Sequence, residues 1–285
     1  MKRIIVCDSG LGGLNIASRF FAEENKAQEA CELIYFNAYP APDCGFNKLP
    51  SLRAQEEVFR DVLEGMKKFS PDLCLIACNT LSIVYERLAK WFTPVFPVVG
   101  IVDVAVDALF NALNENPGSQ LLILGTKSTV ESGVYAQRVA EKGIDPARIK
   151  ALGCPGLATL LESDPAAPEV SERIGNYAAE AAKMFDGKAE KLFLGLCCTH
   201  FGFAADIWLR QFGAFFPGVQ LVNPNDLLGN EWAAQSVRYV SRIDFFPGAR
   251  ESMCACFENE APQLAAALKK AQSDRELFNF SEGTF

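Results

Sequence analysis

Three short stretches of this sequence combine residue types that could move protons or attack carbon. The first, Asp8-Ser9-Gly10-Leu11-Gly12-Gly13, sets an acid and a hydroxyl before a run of glycines. The second is Cys78-Asn79-Thr80, and the third is Cys197-Cys198-Thr199-His200. An unperturbed thiol titrates at ~8.5, near enough to neutrality for thiol and thiolate both to serve in proton transfer. His200 is the single histidine of the chain. An imidazole beside a thiol can be its proton partner, so Cys198 and His200 also fit a nucleophilic Cys–His pair. That second reading leaves Cys78-Asn79-Thr80 without a role, whereas acid–base work by two thiols uses both units.

Each stretch also has a plainer reading. A lone cysteine in an apolar run is more often a small core residue, and a glycine cluster is often a tight strand–helix turn. Asp8 is less neutral, because an acid at a strand end must be hydrogen-bonded or open to a cleft. The glycines raise a nucleotide site, but the dinucleotide fingerprint would need glycine at Asn15, and no Lys-Ser/Thr follows as in a phosphate loop. Cys74 and Cys78 raise a metal site. On a strand they would lie about 13 Å apart, too far to share a zinc ion, so no metal is expected. Cys254 and Cys256 have no neighbouring ligand pattern and read as structural.

The elements that must position these residues follow from apolar patterning. Short apolar runs predict strands over 3–7, 33–36, 73–78, 95–99, 121–124, 149–153, 191–197 and 219–222. Between them lie helical patterns: Phe59, Val62, Leu63 and Met66 recur on one face, and Ser128-Thr129-Val130-Glu131 reads as a capping box for a helix ending near Gly143. Such alternation, with strands buried on both faces, predicts an α/β architecture with parallel sheets. The strands form two groups of four. The runs ending in Cys78 and in Cys197 read alike, about 120 residues apart, each delivering a thiol at the carboxyl end of a strand, where open α/β sheets bind ligands. A boundary is expected near Gly100, after Pro94 and Pro97. From about Asn225 the chain is expected to turn helical through 226–239 and return to the first domain. The stretch from Ser273, with Phe278, Phe280 and Phe285, carries no motif with a chemical reading.

Composition narrows the partners. The chain has 285 residues, a formal net charge of −8 and 22% charged residues, a balance that argues against nucleic acid. No run approaches the ~18 apolar residues of a membrane span, and the opening apolar run, interrupted at Asp8, does not read as a signal peptide. The ten cysteines are therefore expected to be reduced thiols in a cytoplasmic protein.

Taken together and in order, Asp8-Ser9-Gly10-Leu11-Gly12-Gly13-Leu14, Ala77-Cys78-Asn79-Thr80 and Cys198-Thr199-His200 resemble three signature segments of glutamate racemases. Gly125-Thr126, Thr129, Ser132-Gly133 and Tyr135 are similar to a fourth segment, and Gly153-Cys154-Pro155 to a fifth, over roughly residues 3–225. The resemblance implies two pseudo-symmetric α/β domains, each with a mostly parallel sheet flanked by helices and with the active site in the cleft between them. They would comprise residues 1–99 with 226–285, and residues 100–225. It implies an amino-acid racemase that uses no pyridoxal phosphate, metal or nucleotide, works in cell-wall peptidoglycan biogenesis, and forms a homodimer. By resemblance Cys78 and Cys198 are the acid/base thiols, Asp8 assists Cys78, and His200 assists Cys198. Ser9, Asn79, Thr80 and Thr199 would hold the substrate's amino and carboxylate groups, with Cys44 and Gly45 near its side chain. Glu162 lies near the position of a family carboxylate that assists the second thiol.

The chain departs from the family around this frame. Asp43-Cys44-Gly45 replaces the usual Pro-Tyr-Gly, which is expected to disfavour a substrate carboxylate nearby. Cys197 replaces a glycine, Phe201-Gly202 a Tyr-Pro, and Asn223-Pro224-Asn225-Asp226 an Asp-Ser segment. These departures bear on the substrate side chain, while the residues of the reaction itself are kept. A superfamily isomerase, decarboxylase or hydantoin racemase, or a regulatory protein that only binds an amino acid, are the alternatives.

Overall fold

The computed structural model describes residues 1–22, 28–185 and 191–280; Phe285, noted in the sequence, lies outside them. Strands form at β1 (Lys2–Asp8), β2 (Glu29–Asn37), β3 (Leu73–Ile76), β4 (Val98–Gly100), β5 (Gln120–Gly125), β6 (Ile149–Gly153), β7 (Leu192–Cys197), β8 (Gln220–Val222) and β9 (Trp232–Ser241). The chain divides into two compact units, Met1–Ile101 with Leu228–Phe285, and Val102–Leu227.

In the first unit the sheet order is β4-β3-β1-β2-β9, and every pairing is parallel. β1 is a continuous apolar run buried from Ile4 onward, as a strand covered on both faces must be. The helix Leu52–Met66 starts where the Ser51 hydroxyl accepts the Ala54 N–H at 3.1 Å. Its Val58, Phe59, Val62, Leu63 and Met66 pack in one core with Ile5, Ile34, Phe36, Cys74 and Ile76. Removing such side chains from water contributes roughly 2 kcal/mol each. The polar C-terminal stretch joins this core through Leu277 and Phe278. It passes so near the helix that a Cβ on Gly65 would stand 2.6 Å from the Leu277 carbonyl oxygen. Glycine is required there by close approach.

In the second unit the order is β6-β5-β7-β8, again parallel throughout. The first four strands of the other unit, β2-β1-β3-β4, have the same order counted along the chain. In both, the first strand lies beside the third, and the connections leave in opposite directions from that pair. This is a topological switch point, and it lies between β1 and β3 and between β5 and β7. The helices Leu157–Ser163, Pro168–Met184 and Ala205–Gly213 cover one face of the second sheet with Leu157, Leu161, Val170, Ile174, Ala178, Trp208 and Phe212.

Two expectations are corrected. Residues 226–239 are not helical: after a 3₁₀ turn at Pro224–Asp226 the chain enters β9. Ala233 and Ala234 favour helix locally, but β2 would otherwise leave an open ladder, and pairing from Glu29↔Trp232 to Asn37↔Ser241 satisfies it. The first sheet thus has five strands rather than four. The helix expected from Ser128 to Gly143 is two helices, Lys127–Glu131 and Val134–Glu141. Its N-cap is Thr126, and Gly133 at φ 68° breaks it with a backbone that other residues rarely adopt.

Candidate active site

β3 ends at Ile76, two residues before the thiol. Cys78 is therefore the N-cap of the helix Asn79–Leu88, and its sulfur accepts the Leu81 N–H at 3.4 Å. The sulfur lies 3.1 Å from the Ser9 hydroxyl oxygen, which arrives from the adjacent strand β1. Asp8, the last residue of β1, is 1% exposed. Its side chain packs so closely on the glycine turn that a Cβ on Gly13 would lie 2.8 Å from the Asp8 Cβ. The turn is held from below by the Tyr35 hydroxyl, which donates to the Gly10 carbonyl at 2.8 Å. Asn79 and Thr80 are buried in the first helical turn after the thiol. The switch point of this sheet thus brings together Asp8, Ser9, Cys78, Asn79 and Thr80.

Burial pushes the Cys78 thiol up to about 12; the Asp8 carboxylate adds to the rise, while hydrogen bonds from Ser9 and Leu81 work against it. Cys78 is therefore a protonated thiol at neutral pH, in the form of a proton donor.

The loop after β2 places the other two candidates. Cys44 is half-buried against the core of this unit, and its sulfur lies 3.8 Å from the Gly45 carbonyl oxygen. Asp43, by contrast, is exposed, and its backbone carbonyl accepts from the Lys48 ammonium at 3.3 Å. Its charge is solvated and screened, which weakens the expectation that it repels a carboxylate.

In the second unit Cys198 follows β7 and opens the 3₁₀ turn Thr199–Ala204. Its sulfur is 3.8 Å from Nδ1 of His200, and His200 Nε2 is 2.7 Å from Oε1 of Glu162 on the helix Leu157–Ser163. All three side chains, with Thr199, are buried. Burial lowers the His200 pKa, but the Glu162 charge and the hydrogen bonds to Cys198 and Glu162 outweigh it, so the net shift is well upward. His200 is then an imidazolium that donates to Glu162, with positive charge 3.8 Å from the Cys198 sulfur. A cation there stabilises negative charge developing on that sulfur. Two further residues enter this site. Glu162 had only a loose positional match, and Asn225 stood out only as a departure. The Asn225 carboxamide N–H₂ donates to Asn223 Oδ1 at 2.7 Å and to the carbonyls of Cys198 and Leu196 at 3.4 and 3.5 Å, fixing the backbone that carries the thiol.

The remaining cysteines have other settings. Cys197 points to the opposite side of β7, as strand alternation requires, and is fully buried. Cys154 follows β6, is buried, and has its thiol raised by burial and by Cys198. Cys254 is buried, its sulfur 3.7 Å from the Ala265 carbonyl oxygen. All ten cysteines are free. Among the described residues no group of three or more His, Cys, Asp or Glu side chains could hold a metal ion, and no helix is long and apolar enough to cross a membrane.

The family model of the Asp/Glu/Hydantoin racemases matches residues 21–230. The chain belongs to that family. Its reaction class is racemisation. Among curated relatives, the glutamate racemase of Aquifex pyrophilus is 27% identical over 230 residues, covering 79% of this chain and 80% of that one. The glutamate racemase of Streptococcus pneumoniae strain Hungary19A-6 is 27% identical over 219 residues, covering 76% and 74%. The fold is that of solved glutamate racemases. The Campylobacter jejuni structure superposes with a TM-score of 0.64 at 22% identity, covering 95% of this chain and 100% of its own. The RacE1 isoform of Bacillus anthracis gives 0.65 at 20% identity, covering 90% and 92%.

Proposed function

We propose that this racemase inverts Cα of an acidic amino acid, glutamate first, with Cys78 and Cys198 as acid and base on opposite faces of the carbon. The observation that carries the reading is the repeated strand order. Each sheet is followed, just past its third strand at the switch point, by a cysteine with its own proton-handling partners. The name shared by the relatives, glutamate racemase, supports the substrate.

In one direction the Cys198 thiolate removes the α-proton, and Cys78, as thiol, returns a proton to the other face. The reverse reaction exchanges the roles. Each turnover leaves one thiol protonated that began ionised and the other ionised that began protonated. His200 with Glu162, and Asp8 with Ser9, move protons to restore the starting form. Ser9, Asn79, Thr80 and Thr199 hold the amino and carboxylate groups. Donors on the carboxylate carry much of the barrier, because the α-proton is weakly acidic and negative charge accumulates there in the transition state. The enzyme works without an organic cofactor, in the cytoplasm, where its unpaired cysteines stay reduced.

Buried Cys198, His200 and Glu162 also have the order of a nucleophile, a base and an orienting acid. One experiment separates the readings: incubation in D₂O with a panel of L- and D-amino acids, following deuterium at Cα. Exchange with glutamate or aspartate is expected. No exchange with any member would sink the racemase reading and favour the nucleophile.

A further inference from the structure

The common four-strand core of the two sheets does not include β9, and the segment that follows it bears on the first half-site. Arg242 donates to the Pro40 carbonyl at 2.9 Å and to the Phe278 carbonyl at 3.1 Å, tying the loop after β2 to the C-terminal stretch. Phe246 meets the ring of Tyr39 edge-on, with centroids 5.4 Å apart and planes at 73°. The Tyr39 N–H donates to Asn37 Oδ1 at 3.0 Å, and the Asn37 amide donates to the Tyr239 hydroxyl at 3.0 Å, on β9 itself. The adjoining Ala38 N–H donates to the Asp8 carbonyl at 2.7 Å. Tyr39 is thereby held in ring and backbone beside the end of β1. Its hydroxyl lies against Gly45, where a Cβ would stand 3.0 Å from the phenol oxygen. The glycine leaves room for that oxygen and for little else.

We propose that Tyr39 is a specificity-determining residue, whose hydroxyl receives the distal carboxylate of the substrate side chain. This rests on the acidic amino-acid racemase reading given above. Ligands of open parallel sheets lie outside the carboxyl ends of the strands, across the switch point. Tyr39 follows β2, two strand steps from β3, a separation of about 10 Å. Strand ends set that far apart can be spanned by an amino acid whose carboxylate lies one or two methylenes beyond Cα, with the thiol at one end and the phenol at the other. A phenol suits the task, since it donates to an anion without carrying charge, and its ring costs little conformational entropy once pinned. The exposed Asp43 leaves the neighbouring field free of a buried opposing charge.

The test is Tyr39→Phe, which keeps the ring packing against Phe246 and removes only the oxygen. Cα deuterium exchange of glutamate and aspartate is measured as kcat and KM, with the thermal midpoint as a control. Losing a hydrogen bond to a charged group should raise KM about 10- to 100-fold with kcat and the midpoint nearly unchanged. Calorimetric binding of the same amino acids to Cys78→Ala and to Cys78→Ala/Tyr39→Phe should show an equal loss in affinity. An unchanged KM, or kcat and stability falling together at constant KM, would overturn the role of Tyr39 while leaving the racemase intact. Absence of any exchange by the unmodified enzyme would instead remove the reading on which it rests.

Discussion

The Glu162–His200 contact sets the charge that stands beside the second thiol, and Glu162→Gln isolates it. The pair is 2.7 Å apart, with side chains only 10% and 12% exposed, so solvent screens it little. Glutamine keeps the shape and a hydrogen-bonding oxygen while removing the charge. In the unmodified protein burial is outweighed at His200 by Glu162 and Cys198; without the carboxylate burial prevails and the imidazole turns neutral at pH 7–8. A unit charge about 4 Å from a developing thiolate is worth about 4 kcal/mol at an effective dielectric of ~20, or roughly three decades in rate. Relaxation and residual polarity reduce this, and a fall in kcat/KM of about 10²- to 10³-fold is expected. The assay is racemisation by polarimetry from pH 6 to 10. Because the His200 pKa is raised in the folded state, the stability it confers is full below ~6.5 and fades as pH rises through the folded value. In Glu162→Gln the loss of activity with rising pH should begin at lower pH. A variant with the original rate and the original pH profile would refute the reasoning.

Other consequences are accessible in the same way. Cys78→Ser and Cys198→Ser should each lower two-way racemisation by at least about 10³-fold; full activity in either, by chiral chromatography of products, would eliminate that thiol. Since the Cys78 thiol is pushed up to about 12, its alkylation by iodoacetamide, resolved by peptide mass spectrometry, should rise tenfold per pH unit from 7 to 10. A plateau near ~8.5 would show an ordinary thiol. Phe278→Ala removes a fully buried ring from the core beneath the first half-site and should cost about 3–5 kcal/mol in denaturant unfolding. A loss below 1 kcal/mol would mean the C-terminal stretch is not part of that core.

What could be read in the sequence was what depends on local pattern. Apolar runs interrupted by Asp8, by Cys78-Asn79 and by Cys198-Thr199 announce strand ends, because an open sheet buries its strands and exposes their carboxyl termini. Glu162 is named only by resemblance, and Tyr39 not at all, because their settings depend on contacts that local pattern does not carry. Glu162 meets His200 across 38 positions of chain, and Tyr39 meets Gly45 only because a tight turn folds the loop back. Asn225 reaches the Cys198 backbone from 27 residues away, and nothing in its immediate neighbours marks it. β9 was misread because its alanines are helix formers, while the demand for a strand comes from the edge of β2. The break at Gly133 is not visible in the capping pattern at Ser128, which predicts an unbroken helix although a glycine follows within two turns.

The central claim is proton transfer between two bases, and the isotopic content of the first turnovers tests it most directly. With L-glutamate in D₂O, product and recovered substrate are separated on a chiral column and Cα deuterium is measured in each. Two thiols require the D-product to carry solvent deuterium from the earliest times while the remaining L-substrate stays unlabelled. Product that retains the original proton, or substrate that gains deuterium as fast as product forms, would contradict the account.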